Sequence, residues 1–234
     1  MSVLVVVPTY NERENLPVLV PAVLAHDNVR MLIVDDGSPD GTGALADELA
    51  TQFPGRLDVL HRTGPRGLGR SYVEGLTRAL QTDATLVCQM DADLSHNPDH
   101  LPALIEGAST YDVVIGSRYL NGISVVNWPL HRIILSTFAN RYVRTITGLS
   151  PADCTSGYRC WRRETLAKLR LDQVVTEGYA FLVEMLWEAA RSGATIGEVP
   201  IIFIERRQGQ SKISLSVLIE SLIAPWRLAF RSRR

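Results

Sequence analysis

Met31-Leu-Ile-Val-Asp35-Asp36-Gly37-Ser38-Pro39-Asp40-Gly41-Thr42 decides the fold. Its apolar opening is too short for a helix and has the length of a strand buried on both faces. Two carboxylates close the run, a Gly/Ser/Pro/Asp turn follows, and Thr42–Phe53 beyond it has helical periodicity. The same strand, turn and helix recur on either side. Val3–Pro8 leads into Glu14–His26, Leu57–His61 into Arg70–Leu80 and Thr85–Met90 into Pro98–Ala108, with a further run at Val113–Gly116. The alternation predicts a doubly wound, mostly parallel α/β sheet, in which ligands bind beyond the carboxyl ends of the strands. Asn11, Asp35, Asp36, Asp91 and Asp93 all stand at or just past such ends.

The second half changes character. Pro129–Thr147 mixes Ile133, Ile134, Leu135, Phe138, Tyr142 and Val143 with Arg132, Arg141 and Arg144. A helix is expected over Tyr179–Ser192, an extended run over Thr195–Ile204, a polar loop with Gly209 over Glu205–Ser214, and a last helix over Leu215–Phe230 before Arg231-Ser-Arg-Arg234. With 234 residues and no repeat or linker, the chain reads as one large domain. A net charge of -1 gives no general pull toward nucleic acid, so any basic surface is local. Cys88, Cys154 and Cys160 lack zinc spacing and read as reduced, buried thiols. Val3–Val7 follows only Met1 and Ser2 without a basic leader and reads as a core strand rather than a signal peptide. No run approaches the roughly 20 apolar residues of a spanning helix.

Asp91-Ala-Asp93 directly follows the run Thr85–Met90. Hard oxygen ligands so placed suit Mg2+ or Mn2+ gripping a substrate phosphate, although two loop carboxylates exposed to water are the plainer reading of the pattern by itself. Asp35 and Asp36 permit a similar choice. They can belong to a turn capping the next helix through Ser38 or Asp40, or they can accept hydrogen bonds from a nucleobase or ribose. Pro8-Thr-Tyr10-Asn11-Glu12 closes the first strand beside them, and no Gly-rich dinucleotide or P-loop pattern occurs, which argues against a dehydrogenase or an NTPase. Arg66-Gly-Leu-Gly69-Arg70 opens a helix whose amides and arginines can face a diphosphate.

The segments Pro8–Pro17, Ile33–Thr42, Asp91–His96, Gly116–Tyr119 and Gly197–Ile201 together resemble the family 2 glycosyltransferases, and most of all the dolichyl-phosphate (polyprenyl-phosphate) mannose synthases. The resemblance runs in order from Val3 to about Lys212. It implies a GT-A fold, a nucleoside diphosphate-sugar donor (GDP-mannose first, UDP-glucose as an alternative), a divalent metal and inversion at the anomeric carbon. Pro8, Tyr10, Glu12, Asp35 and Asp36 are then the nucleoside side of the donor site, with Asp91 at its diphosphate. Asp91 and Asp93 hold the metal, and the third ligand position falls on Ser95, where some relatives have glutamine; a hydroxyl there is expected to act through water. Arg118, Arg132 and Ser136 grip the acceptor phosphate, for which a guanidinium is a forked, permanent donor. Arg206 and Lys212 flank Gly209 in a loop that closes over the donor, with Arg207 as a second cation beside Arg206. Asp93, Arg118 and Arg206 are the expected catalytic set.

A phosphate acceptor is already anionic and needs no general base, unlike a sugar hydroxyl. Thr176-Glu177-Gly178 lacks the Asp of the base-bearing motif of hydroxyl-acceptor relatives and reads as a loop, and Glu184 as a structural group or the partner of an arginine. Val217, Leu218, Ile219, Leu222, Ile223, Trp226 and Phe230 can share one face of a helix ending in arginines. That pattern, with Pro129–Thr147, suits interfacial helices on a membrane. The organisation expected is a catalytic domain over 1–212 and a membrane-surface helix and basic tail over 213–234, peripheral at the cytoplasmic face, with a polyprenyl phosphate acceptor and room for a membrane partner subunit. A transferase acting on a hydroxyl acceptor, or a non-catalytic nucleotide-sugar-binding subunit, are the competing expectations.

Overall fold

Val3, Val5 and Val7 face one apolar layer and Leu4 and Val6 the other, so every residue of β1 (Val3–Thr9) is buried. A strand sandwiched in this way needs helices on both sides, and the sequence supplies them. The computed structural model describes residues 2–174, 178–205 and 215–231. In chain order the first half runs β1, α1 (Leu16–Leu24), β2 (Val29–Asp35), α2 (Thr42–Gln52), β3 (Leu57–His61), α3 (Leu68–Ala79), β4 (Leu86–Gln89), α4 (Leu101–Gly107) and β5 (Val113–Ser117). These elements match the expected segments to within a few residues at each end.

Among the described residues the main sheet has seven strands in the order β3-β2-β1-β4-β7-β5-β8, with β7 at Arg159–Arg162 and β8 at Ile196–Pro200. β1 to β4 are parallel, β5 and β8 are parallel, and β7 runs antiparallel between β4 and β5. The chain winds outward from β1 to β3 and then returns to the other side of β1 with β4, so a topological switch lies between β1 and β4. The carboxyl ends of β1, β2 and β4 bring Tyr10, Asp36 and Asp91 to one edge of the sheet.

α3 lies close on the sheet because residue 75 is glycine. A Cβ there would meet Val6 Cγ1 at 2.5 Å and Val34 Cγ2 at 2.8 Å. The expected run Thr195–Ile204 divides into β8 and the two-residue β9 (Phe203–Ile204), which pairs with β6 (Val125–Val126) in a small second sheet. β7 was not among the expected strands. Its Arg-Cys-Trp-Arg sequence reads as polar at both ends, yet Arg159 is fully buried and donates to the carbonyls of Cys154, Ser156 and Leu182. Burial lowers the pKa of this guanidinium to about 10, which leaves it charged at neutral pH.

The remaining helices are the short α6 (Arg163–Leu166), α5 (Leu130–Thr147), α7 (Gly178–Arg191) and α8 (Leu215–Arg231). α5 ends where Gly148 takes a left-handed φ of 75°. Of its 18 residues only Asn140 and Val143 are buried. α8 lies beside it, tied by Trp226 Nε1 donating to Tyr142 Oη and Tyr142 Oη donating to the Leu222 carbonyl, both at 2.8 Å. Leu130, Ile134, Leu135 and Phe138 of α5, with Leu222, Ile223, Trp226 and Phe230 of α8, remain exposed. No helix among the described residues is long and apolar enough to cross a membrane. Cys88, Cys154 and Cys160 are buried and unbridged. Arg206, Arg207, Gly209, Lys212, Thr176, Glu177 and the tail arginines 233 and 234 lie outside the described residues.

Candidate active site

The edge defined by β1 and β2 is built by turns that hold carboxylates still. Asp35 accepts from Ser38 Oγ at 2.6 Å, Ser38 N at 3.2 Å and Thr9 Oγ1 at 3.3 Å, so both of its oxygens are engaged by its own turn. Asp36 accepts from the Gly67 amide at 2.8 Å and from the guanidinium of Arg62. Arg62 also pairs with Glu74 at 2.8 Å and donates to Pro65 O, which fixes the loop ahead of α3. A carboxylate offers about four lone-pair directions, so Asp36 retains acceptor capacity toward a ligand, whereas Asp35 is largely absorbed by the fold. Pro8 is buried in β1 and Tyr10 follows it, its hydroxyl accepting from Arg66 while that guanidinium lies 4.9 Å from the ring centroid. Glu12 is held by Thr42 Oγ1 at its amide and by Asn15 Nδ2 at its carboxylate. The expected nucleoside residues therefore come together on one edge.

Asp91 and Asp93 follow β4. Tyr72 Oη donates to Asp91 Oδ1 at 3.0 Å, and the Asp91 amide donates to His96 Nδ1 at 3.0 Å. Burial, and then the Asp91 charge, push the Tyr72 phenol well above its usual pKa, which keeps it a donor. Ser95 is buried and its hydroxyl donates to Asp93 Oδ1 at 2.5 Å, so its visible role is to aim that carboxylate. Between them Leu94 holds a left-handed φ of 62°, which costs a branched residue about 1–3 kcal/mol and is retained where the loop geometry demands it. Gly157 faces Asp91, and a Cβ there would sit 3.5 Å from Oδ1 and 3.6 Å from Oδ2. Asp91 opens onto space that a side chain would occupy, and, with Asp93 two residues on, it supplies hard carboxylate oxygens of the kind that fit a Mg2+ or Mn2+ ion. Among the described residues no third Asp, Glu, His or Cys joins them. Substrate phosphate and water would complete the coordination.

Trp128 organises the opposite side. Arg132 stacks on its ring at 4.0 Å and Arg118 lies 5.6 Å away, while Phe203 meets it edge-on at 5.3 Å. Phe203 in turn packs edge-on against His96 at 5.5 Å, so one aromatic chain links the Asp91 loop to the two arginines. Ser136 joins them through Tyr119 Oη, which donates to its Oγ at 2.7 Å.

Both arginines carry carboxylate partners that sequence reasoning did not find. Asp153 receives Arg118 Nε and Nη2, each at 2.7 Å, and the Arg118 amide at 3.1 Å. Burial by itself would raise the Asp153 carboxyl; the adjoining Arg118 charge and the hydrogen bonds outweigh it and hold the group below the ordinary carboxylate range. Glu198 accepts the amides of Ala152 and Asp153 and so fixes the loop. Arg132 pairs with Glu205. These contacts span 35 and 73 residues, and no local pattern announces them. Glu184 was expected to be structural or an arginine's partner, and it meets Arg231 at 3.3 Å.

A doubly wound sheet with acidic turns at its carboxyl edge and an Asp-x-Asp loop facing a cationic aromatic wall defines a GT-A glycosyltransferase. The Glycosyl transferase family 2 pattern matches residues 4–170, and the chain belongs to that family. It is 46% identical over 99% of its length to the polyprenol monophosphomannose synthase of Mycolicibacterium smegmatis, covering 89% of that protein. It is 44% identical over 99% of its length to the undecaprenyl-phosphate mannosyltransferase of Micrococcus luteus, covering 96% of it. A crystal structure of glucosyl-3-phosphoglycerate synthase from Mycobacterium tuberculosis, in complex with Mn2+, UDP and glucosyl-3-phosphoglycerate, superposes with a TM-score of 0.67. It covers 97% of this chain and 80% of that one at 19% identity, a likeness of fold.

Proposed function

We propose that this enzyme transfers mannose from GDP-mannose to a polyprenyl monophosphate, with inversion, giving polyprenyl-phosphate mannose and GDP. The observation that carries the reading is the pair of arginines on Trp128, Arg118 and Arg132, facing the Asp91–Asp93 loop across Phe203. The names borne by the relatives at 44–46% identity support the same sugar and lipid.

In this reading Tyr10, Glu12 and Asp36 hold the nucleoside, with Pro8 and Asp35 shaping the edge on which it rests. Asp91 and Asp93 hold a divalent ion, Mg2+ or Mn2+, with Ser95 aiming Asp93; when bound, it neutralises the charge that develops on the leaving diphosphate. Arg118, Arg132 and Ser136 bind the acceptor phosphate and orient one of its oxygens toward the anomeric carbon. That oxygen is already anionic, so the protein's task is to bring two anions together and no proton needs to be removed. Arg206 and Lys212 complete the proposed set on the donor side.

The lipid places the enzyme at a membrane surface, on its cytoplasmic face where the nucleotide sugar resides. The exposed Leu130, Ile134, Leu135 and Phe138 of α5 and Leu222, Ile223, Trp226 and Phe230 of the neighbouring α8 support that location, because large apolar side chains grouped on adjacent helices suit a lipid surface. The test is transfer of label from GDP-mannose, UDP-glucose and UDP-N-acetylglucosamine into an organic-extractable product, with polyprenyl phosphate and Mn2+ present. Label from GDP-mannose alone is expected. Label that requires a hydroxyl acceptor instead, or donor binding without turnover, refutes the proposal.

A further inference from the structure

Each arginine of the acceptor wall is already neutralised by a carboxylate, yet the two carboxylates differ in kind. Asp153 is fully inaccessible, takes the forked guanidinium of Arg118 and its amide, and sits in a loop whose own amides are held by Glu198. Removing one partner from such a pair leaves a buried charge, so this contact does not exchange. Glu205 and Arg132 each keep 27% of their side chains exposed, so this pair is open to solvent and to an entering ligand where the Arg118–Asp153 pair is not. A phosphate monoester at the same guanidinium would bring more charge and more acceptor oxygens than the carboxylate does.

Resting on the proposed phosphate acceptor, we infer that Glu205 is an exchangeable stand-in for that phosphate. It holds Arg132 on the face of Trp128 while the site is empty and gives it up when the acceptor's phosphate binds. Arg132 is thereby kept in place by two contacts, the ring at 4.0 Å and the carboxylate, and only the carboxylate has to be released. The position of Glu205 suits this role. It follows β9, and its amide donates to the Val126 carbonyl at 3.1 Å, so the backbone is fixed while the side chain is replaceable. β9 is also joined to the metal-side loop, since Phe203 forms a bridge with His96 and the Ile204 amide lies 3.5 Å from the Ser95 carbonyl. Glu205 is therefore a positioning residue, and it takes no proton in the reaction.

The test is direct binding of farnesyl phosphate, a short prenyl monophosphate, to wild type, Glu205→Gln and Arg132→Ala by calorimetry, followed by transfer kinetics with the long-chain lipid. Glu205→Gln removes the competing charge while preserving shape, and binding is expected to tighten roughly fivefold, the equivalent of about 1 kcal/mol. In turnover the change falls on KM for the lipid rather than on kcat. Arg132→Ala weakens binding, and in that background Glu205→Gln no longer tightens it. If wild type binds farnesyl phosphate but Glu205→Gln binds it no more tightly, the stand-in role is wrong and the acceptor reading survives. If Glu205→Gln leaves binding unchanged and abolishes kcat, Glu205 is a proton acceptor and the inference is overturned. Failure of wild type to bind any prenyl phosphate overturns both readings.

Discussion

Replacing Asp153 with asparagine removes the counter-charge from a guanidinium that is only 5% exposed. The substitution is nearly isosteric, so its consequence is electrostatic. Oδ2 accepts Arg118 Nε and the Arg118 amide, and Oδ1 accepts Arg118 Nη2 and the Thr155 hydroxyl. Whichever way the new amide turns, its NH2 group faces at least one guanidinium N–H. Breaking a buried pair from one side costs about 3–5 kcal/mol, and for a chain of this length each kcal/mol moves Tm by about 2–4 °C. Asp153→Asn is thus expected to lower Tm by roughly 6–20 °C and to abolish transfer. The double replacement Arg118→Met, Asp153→Leu buries no charge and is expected to return to within about 1 kcal/mol of wild type while remaining inactive. The pH dependence has a definite sign. The folded carboxyl of Asp153 lies below its unfolded value, so its contribution is complete above the unfolded pKa of about 3.9 and is lost as pH falls through the folded one. The deficit of Asp153→Asn must therefore shrink below about pH 4. Urea titrations at pH 7 and pH 3.5 measure both quantities. A deficit under 1 kcal/mol at pH 7, or one that grows in acid, would refute the reasoning.

Asp93→Ala is expected to reduce transfer by at least about a thousandfold, and chelation of wild type to do the same reversibly, as expected for charge stabilisation at a leaving group; retention of metal-dependent turnover by Asp93→Ala contradicts the assignment. Gly75→Ala drives a methyl into Val6 and Val34 and is expected to cost about 1–3 kcal/mol by denaturant titration, with an unperturbed melt showing that α3 can retreat from the sheet. Phe138→Ser with Trp226→Ser is expected to weaken sedimentation with lipid vesicles severalfold while activity toward farnesyl phosphate in detergent persists, and equal vesicle binding assigns the α5–α8 face to a protein partner instead.

The carboxylate edge was legible in the sequence where its physics is local. Asp35, Asp36, Asp91 and Asp93 each follow a short apolar run, and Ser38 and Ser95 brace Asp35 and Asp93 from within the same turns, whereas the Gly67 amide and Arg62 reach Asp36 from distant segments. The cationic wall was legible only in part. Arg118, Arg132 and Ser136 were readable through resemblance, whereas Asp153, Glu205 and Tyr72 become partners only when the sheet brings distant segments together. β7 escaped for a related reason. The guanidinium of Arg159 is solvated by three backbone carbonyls instead of water, and no periodicity encodes that.

The partners that sequence could not supply also bear on the choice between a phosphate and a hydroxyl acceptor. A hydroxyl acceptor calls for a carboxylate able to take a proton, within hydrogen-bond reach of the nucleophile and not spent on a cation. Asp153 is buried, held below the ordinary carboxylate range and saturated by Arg118 and Thr155, so protonating it means breaking that pair. Glu205 is paired with Arg132, so it too is spent on a cation. A phosphate acceptor reverses the demand. It brings its own negative charge and needs cations whose positions are fixed in advance, which Asp153 on Arg118 and Glu205 on Arg132 provide beside Trp128.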